Sequence, residues 1–259
     1  MPEIPDIEVF TSNIKTAYAG EKISRIKVIN EKKLSDTQNE LSKVLRDKVL
    51  LDVYRSGKEM RFKFSGDVIM GLHLMLSGDI VPFAKVNERK STIIEFYFSN
   101  DKGFALVDRL GNAFVKLYPV DKKGIDALDK DLNFKYLKSI FENKKAIIKN
   151  VLIDQNTIRG IGNSYSDEIL WECRISPFSI TNAIPDDKIK ELAQTIKPVL
   201  HAEIKRIKKA YPNLIHGEVK EFMKIHSPQL TQSPTGKPIK SIKKGMMKTY
   251  YTDEQILYK

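Results

Sequence analysis

The 259-residue sequence contains one cysteine, Cys173. One thiol makes no internal disulfide and no cysteine-rich zinc site. In Leu170-Trp171-Glu172-Cys173 it reads as a core thiol rather than a nucleophile. No run of 18 apolar residues occurs, so a membrane-spanning helix is not expected, and the acidic, proline-containing start does not read as a signal peptide. A cytoplasmic protein is the expectation. Internal repeats and low-complexity tracts are also missing, which leaves a globular chain long enough for two modest domains. Acidic residues are in deficit: 33 Asp and Glu against 44 Lys and Arg give a formal net charge of +11. The natural partner is then a polyanion, nucleic acid or an anionic membrane surface.

Hydrophobic spacing divides the chain. Ile7, Phe10, Ile14 and Ala17 recur at intervals of three and four, predicting an amphipathic helix over 2–19 that Gly20 ends. Short β-rich runs follow at 26–29, 49–54, 60–64, 68–75, 80–83, 92–98, 104–107 and 114–118, separated by turns such as Ser65-Gly66-Asp67. They predict an antiparallel sandwich or barrel. After Asp121-Lys122-Lys123-Gly124, helical periodicity covers 134–141, 145–153, 164–173 and 186 to about 211. Pro198 is expected to kink or divide the last helix, whose core face is Ile189, Leu192, Ile196, Leu200 and Ile204. From about Thr235 the alternation returns to that of a β-hairpin. The expected fold is α+β: residues 1–120 an N-terminal helix with an antiparallel β-sandwich, 121–230 a helical domain, 231–259 a terminal hairpin.

One stretch stands at the centre of this plan, Asp154-Gln155-Asn156-Thr157-Ile158-Arg159-Gly160-Ile161-Gly162-Asn163-Ser164-Tyr165-Ser166-Asp167-Glu168. Two glycines one residue apart and Asn163 form a tight helix-to-helix turn, and the amides opening the next helix suit a phosphate. Alone, such a turn is ordinary loop chemistry. It is accompanied, in order, by Met1-Pro2-Glu3-Ile4-Pro5-Asp6-Ile7-Glu8, Ser56-Gly57-Lys58 and His73-Leu74-Met75-Leu76-Ser77-Gly78. Together the four motifs resemble the formamidopyrimidine-DNA glycosylase and endonuclease VIII family over nearly the whole chain, and the resemblance implies its helix-two-turns-helix fold.

Proline at position 2 permits removal of Met1, leaving a secondary amine. An α-amine titrates near ~8, against ~10.4 for lysine, so it attacks an aldehyde-like carbon more readily at neutral pH. A retained Met1 would cap it. The resemblance implies Pro2 as Schiff-base nucleophile at the deoxyribose C1′, Glu3 as proton donor and Lys58 as proton donor in β-elimination. A solvated hairpin charge is the bland reading of Lys58. Removing a base from a duplex requires flipping it out and filling the hole. Leu76 falls where the family places its wedge, and His73 is either a backbone or phosphate contact or a buried structural histidine. The resemblance implies a phosphate grip by Asn163 and a basic DNA contact at Lys144; Lys145 and Lys149 add charge on the same segment, with solvent as the alternative place for one of them.

Two departures stand out. The family's Asp-Pro-Arg-Arg-Phe-Gly loop reads Asp108-Arg109-Leu110-Gly111-Asn112-Ala113 here, so its arginine position holds Leu110, and Arg109 substitutes only with a one-residue shift. Formamidopyrimidines or oxidised pyrimidines are therefore expected in preference to 8-oxoguanine. The family's two Cys-x-x-Cys pairs fall on Gln232 with Thr235 and Thr252 with Gln255, which predicts a zincless finger held by Ile239, Ile242, Tyr250 and Tyr251. The finger arginine aligns with Met247, and Lys248 is its cationic stand-in. Lys237, Lys240, Lys243, Lys244 and Lys248 read as DNA-facing or as guards of an edge strand.

The expected activity is a bifunctional glycosylase and abasic-site lyase. It would act as a monomer on double-stranded DNA carrying formamidopyrimidines, oxidised pyrimidines or abasic sites, with no cofactor, no metal and no membrane, and with the nucleoid as location. A family member that binds lesions without cleaving them is the first alternative, and a structural RNA-binding protein the second.

Overall fold

The computed structural model describes residues 1–32, 34–245 and 247–259. It forms two compact units, Met1–Asp121 with Ile207–Glu218, and Lys122–Arg206 with Val219–Lys259.

The first unit opens with α1 (Ile4–Tyr18), whose first turn holds Pro5, where a missing N–H does no harm. Ile7, Phe10, Ile14 and Tyr18 bury its inner face. The helix stops at Ala19, and Gly20, at φ +89°, donates its N–H to the Leu50 carbonyl at 2.8 Å. Two four-stranded antiparallel sheets follow. One takes β1 (Ile23–Val28), β5 (Gly78–Ala84), β6 (Thr92–Phe98) and β7 (Lys102–Asp108) in the order β1-β6-β7-β5. The other takes β2 (Leu50–Ser56), β3 (Glu59–Phe64), β4 (Val68–His73) and β8 (Phe114–Leu117) in chain order. Their inner faces share one core with α1, joined where Phe62 of β3 stacks on Phe104 of β7 at 5.5 Å. The sandwich and the N-terminal helix are as the alternation predicts.

One element of this unit departs from the prediction. Helix α2 (Gln38–Leu45) lies between the predicted runs 26–29 and 49–54, where no element is expected. Its signal was Thr37 with Glu40 three residues on, a capping box in which each side chain accepts the other's backbone N–H, and Leu41 and Leu45 bury its inner side. The fourth strand run also stops early, at His73, because Met75 adopts φ +53° and turns the chain.

The second unit holds α3 (Phe134–Asn143), α4 (Ile148–Ile153), α5 (Asn163–Glu172) and most of α6 (Asp186–Ala210). A two-stranded parallel pair, β9 (Ile125–Asp126) and β10 (Ile158–Arg159), braces the turn between α4 and α5. Pro198 does not divide α6, which runs through it as one helix of 25 residues. Ile189, Leu192, Ile196 and Leu200 are buried as predicted and hold that face, so one missing backbone hydrogen bond is tolerated. Ile204 departs from the predicted stripe: it is half-buried, while Glu203 and Ile207 are buried beside it. Strands β11 (Lys240–Lys244) and β12 (Met247–Tyr251) pair as the expected hairpin, and Met246 lies outside the described residues.

Candidate functional site

In the first unit, Pro2 and Glu3 are both buried at the start of α1, and the Glu3 N–H donates to Asp6 Oδ2 at 3.1 Å. The ammonium of Met1 lies 3.2 Å from Glu218 Oε2. Lys58 occupies the two-residue turn between β2 and β3, where Ser56 pairs with Glu59 and Gly57 takes φ +59°. Sequence reasoning missed the group that ties this turn to α1. The buried Arg55 guanidinium donates Nε–H to Glu8 Oε1 at 2.8 Å and Nη1–H to the Gly57 carbonyl at 2.9 Å. Its signal was an arginine two residues before the turn glycine. Ser56 Oγ and Arg61 Nη2 both donate to Asp121 Oδ1 at 2.8 Å, which stiffens the hairpin further. An N-terminal amine, a carboxylate and a lysine ammonium are thus carried on elements held to one another, a set able to form an imine and move protons around it.

The same unit presents two loops, each with an exposed leucine at its tip: Leu76 is 52 % exposed and Leu110 57 %. One buried carboxylate controls both. Asp108, at the end of β7, accepts the Ser77 hydroxyl at 2.5 Å and the backbone N–H groups of Leu110 at 2.9 Å, Asn112 at 2.7 Å and Ala113 at 2.8 Å. Burial pushes its carboxyl up, but the Ser77 hydroxyl and the three amides outweigh this and hold it below the usual aspartate value. Arg109 is exposed next to Leu110. His73 Nδ1 accepts the Met75 N–H at 2.9 Å, and its ring stacks on Phe114 at 5.6 Å.

In the second unit the α4–α5 turn is braced from within. Asp154 accepts the Asn156 N–H at 3.0 Å and the Thr157 hydroxyl at 2.8 Å, while Gln155 accepts the Gly160 N–H at 2.9 Å and donates to the Ile153 and Ile161 carbonyls at 2.8 Å. Gly160 takes φ +98°, and Gly124 lies so close that an added Cβ would meet the Gln155 carbonyl oxygen at 2.7 Å. Asn163 opens α5 and donates its Nδ2–H to the Lys248 carbonyl at 3.0 Å, so the structure brings these two predicted residues together. Its buried Oδ1 has no hydrogen-bond partner among the described residues. Lys144 is exposed beside Asp154, with Nζ 3.3 Å from Oδ2.

Lys149 departs from its predicted place on a DNA-facing surface. It is 5 % exposed, with Nζ 2.5 Å from Asp167 Oδ1 and 2.9 Å from Thr249 Oγ1. The reason is Asp167, fully buried in α5, whose other oxygen lies 2.7 Å from His226 Nδ1 and accepts the Tyr250 N–H at 2.8 Å. Glu168 beside it accepts the N–H groups of Lys224, Ile225 and His226 at 2.8–2.9 Å. Burial drives the Glu168 carboxyl above its usual value despite those three amides. The signal for this clamp in the sequence was the pair of adjacent acids directly before the apolar run Ile169-Leu170-Trp171.

The hairpin packs through Ile239 and Tyr250 on Trp171 and Ile225, and Tyr251 meets Phe178 edge-on at 5.1 Å. Ile242, expected among these, is 47 % exposed. At the four positions aligned with metal-binding cysteines, Thr235 Oγ1 lies 2.8 Å from both Glu254 oxygens, and Thr252 Oγ1 donates to Glu254 Oε2 at 3.2 Å. Gln255 accepts the Thr252 N–H at 2.9 Å and donates to the Ile175 carbonyl at 2.8 Å, and Gln232 bridges Pro238. Neutral hydroxyls and amides engaged in this way do not fit the zinc ion that the family resemblance implies.

Family comparisons cover both units. Residues 1–112 match the formamidopyrimidine-DNA glycosylase N-terminal domain, and residues 124–214 the formamidopyrimidine-DNA glycosylase H2TH domain. The formamidopyrimidine-DNA glycosylase of Lactobacillus gasseri is 31 % identical over 206 residues, 76 % of this chain and 75 % of that protein. That of Pelotomaculum thermopropionicum is 26 % identical over 268 residues and 97 % of both chains. The Lactococcus lactis Fpg, solved with DNA containing an abasic site, superposes with a TM-score of 0.87 over 96 % of this chain and 97 % of that one, at 22 % identity. On the motifs of both units and these matches, the chain belongs to the formamidopyrimidine-DNA glycosylase family.

Proposed function

We propose that this protein is a DNA glycosylase with abasic-site lyase activity, acting on duplex DNA that carries formamidopyrimidines or oxidised pyrimidines. The observation that carries the reading is the N-terminal corner: Pro2 and Glu3 buried at the start of α1, with the Lys58 turn tied to that helix through Arg55 and Glu8. Relatives named formamidopyrimidine-DNA glycosylase and an Fpg structure holding abasic-site DNA support it. Once Met1 is removed, the Pro2 amine attacks C1′ of the damaged nucleotide, Glu3 supplies a proton at the sugar, and the base leaves. The resulting iminium acidifies the neighbouring C2′ hydrogen, so the strand breaks by β-elimination with Lys58 as proton donor. Leu76 fills the space left by the flipped base. Asn163, Lys144 and Lys248 contact phosphates in the second unit. Leu110 lacks the donors with which an arginine would read the opposite base, which favours these lesions over 8-oxoguanine.

Borohydride trapping tests the proposal. Processed protein, its N-terminus verified by mass, is mixed with duplexes containing an abasic site or a formamidopyrimidine, beside Pro2→Gly and a sample retaining Met1. A covalent adduct restricted to the processed wild type is expected. Tight abasic-site binding with no adduct would instead make this a lesion-binding member that does not cleave.

A further inference from the structure

The ion pair between the N-terminal ammonium and Glu218 joins the start of α1 to the segment that follows α6 and completes the first unit. This segment is anchored. The Leu214 carbonyl accepts Asn13 Nδ2–H at 2.8 Å, Ile215 sits in the sandwich core, and the Gly217 N–H donates to Asp79 Oδ1 at 3.1 Å. Glu218 therefore reaches the terminus from a held backbone, with its side chain 22 % exposed. Gly217 takes φ +85°, and its turn sets the direction in which Glu218 leaves that anchored backbone. Loss of Met1 moves that terminus by one residue, about 3.8 Å between Cα atoms.

We propose that Glu218 is a catalytic residue of the imine chemistry: its carboxylate takes a proton from the Pro2 ammonium and returns it to the hydroxyl that leaves. The inference rests on Pro2 being the nucleophile. An α-amine titrating near ~8 is largely ammonium at neutral pH and has no lone pair to donate. Glu218 removes one proton. The freed pair adds to the aldehyde carbon C1′ of an abasic site, the carbonyl pair moves to oxygen, and that oxygen takes the remaining N–H proton to give a carbinolamine. Protonated Glu218 then gives its proton to this hydroxyl, water leaves with the C–O pair, and the nitrogen pair closes the iminium. Ammonium and aldehyde have become iminium and water, and Glu218 is again a carboxylate. The other charged groups named in this corner are Glu3, Asp6 and Glu8 of α1, Arg55 of β2, Asp79 of β5 behind Gly217, and Lys58 on its turn. Among the described residues, the acid on the terminal nitrogen itself is Glu218.

An internal base has a pH signature. While carboxylate and ammonium are both charged, passing the proton from one to the other changes no proton count with solvent, so imine formation is flat with pH. Without the carboxylate, the rate follows the free amine and rises about tenfold per pH unit. The experiment measures single-turnover cyanoborohydride trapping on an abasic-site duplex from about pH 5.5 to 8.5. It uses processed wild type, Glu218→Gln and Glu218→Asp. The expected result is a flat wild-type profile, a Glu218→Gln profile climbing with pH from about 100-fold below wild type at the acid end, and Glu218→Asp restoring flatness. A Glu218→Gln profile parallel to wild type overturns the assignment while leaving Pro2 in place. Absence of any adduct from processed wild type overturns both.

Discussion

Asp108 organises more of the proposed binding surface than any residue that would touch DNA. Its two oxygens accept one hydroxyl and three amides, and through them it sets the backbone under both Leu76 and Leu110. Replacing it with alanine leaves several buried donors unpaired, each worth about 1–3 kcal/mol and not additive. Asp108→Ala should therefore lose about 2–4 kcal/mol in urea unfolding. It should also lower the preference for abasic-site over intact duplex, because the wedge loop loses its anchor. The carboxyl titrates lower in the folded protein than in the unfolded chain. Its stabilisation is thus fully present above the unfolded value, near ~3.9, and disappears as pH falls through the lower folded value. Acid unfolding followed by circular dichroism should be shallower over that window in Asp108→Asn than in wild type.

The element that the family resemblance would hang on a metal is the β11–β12 hairpin. Here its backbone is held at Tyr250 by Asp167 and at Lys248 by Asn163, and the Thr249 hydroxyl receives Lys149. Asp167→Asn removes the charge that Lys149 needs inside the protein, and breaking a buried pair costs about 3–5 kcal/mol. Amide exchange across residues 240–251 is expected to speed up about 100-fold or more, while protection of the β6–β7 amides in the first unit is retained. Chelators form a separate check. Since Gln232, Thr235, Thr252 and Gln255 do not suit zinc, overnight EDTA should leave Tm and abasic-site affinity unchanged, and a fall in either would show that a metal is held elsewhere.

At the scale of the molecule, a net charge of +11 sets how any nucleic acid is met. Phosphate contacts release counterions, so log K should fall linearly with log salt at about 0.9 per contact on duplex DNA. Lys243 and Lys244 are both exposed on β11. Changing both to alanine should reduce that slope by about 1–2 with little effect on the ratio of abasic to intact affinity, since phosphate contacts carry no lesion information. An unchanged slope would mean that the lysines guard a strand edge and do not meet DNA.

Local pattern was enough for the N-terminal helix, the sandwich strands from 26 to 118, the helices around Gly160-Ile161-Gly162-Asn163 and the terminal hairpin, because periodicity and turn chemistry act between residues close in sequence. The order of motifs was likewise enough for the family. What local pattern did not determine was which charges are buried and against what. Lys149 reads as a surface cation, yet it lies on Asp167, 18 residues away and inside the protein. Arg55 reads as a strand residue, yet it fastens the Lys58 turn to Glu8, 47 residues earlier. Glu218 stands 217 residues from the amine it pairs with. A charge enters the interior only where the fold supplies an opposite charge or enough hydrogen bonds to offset desolvation. Those partners come from distant parts of the chain, so tertiary structure alone decided them.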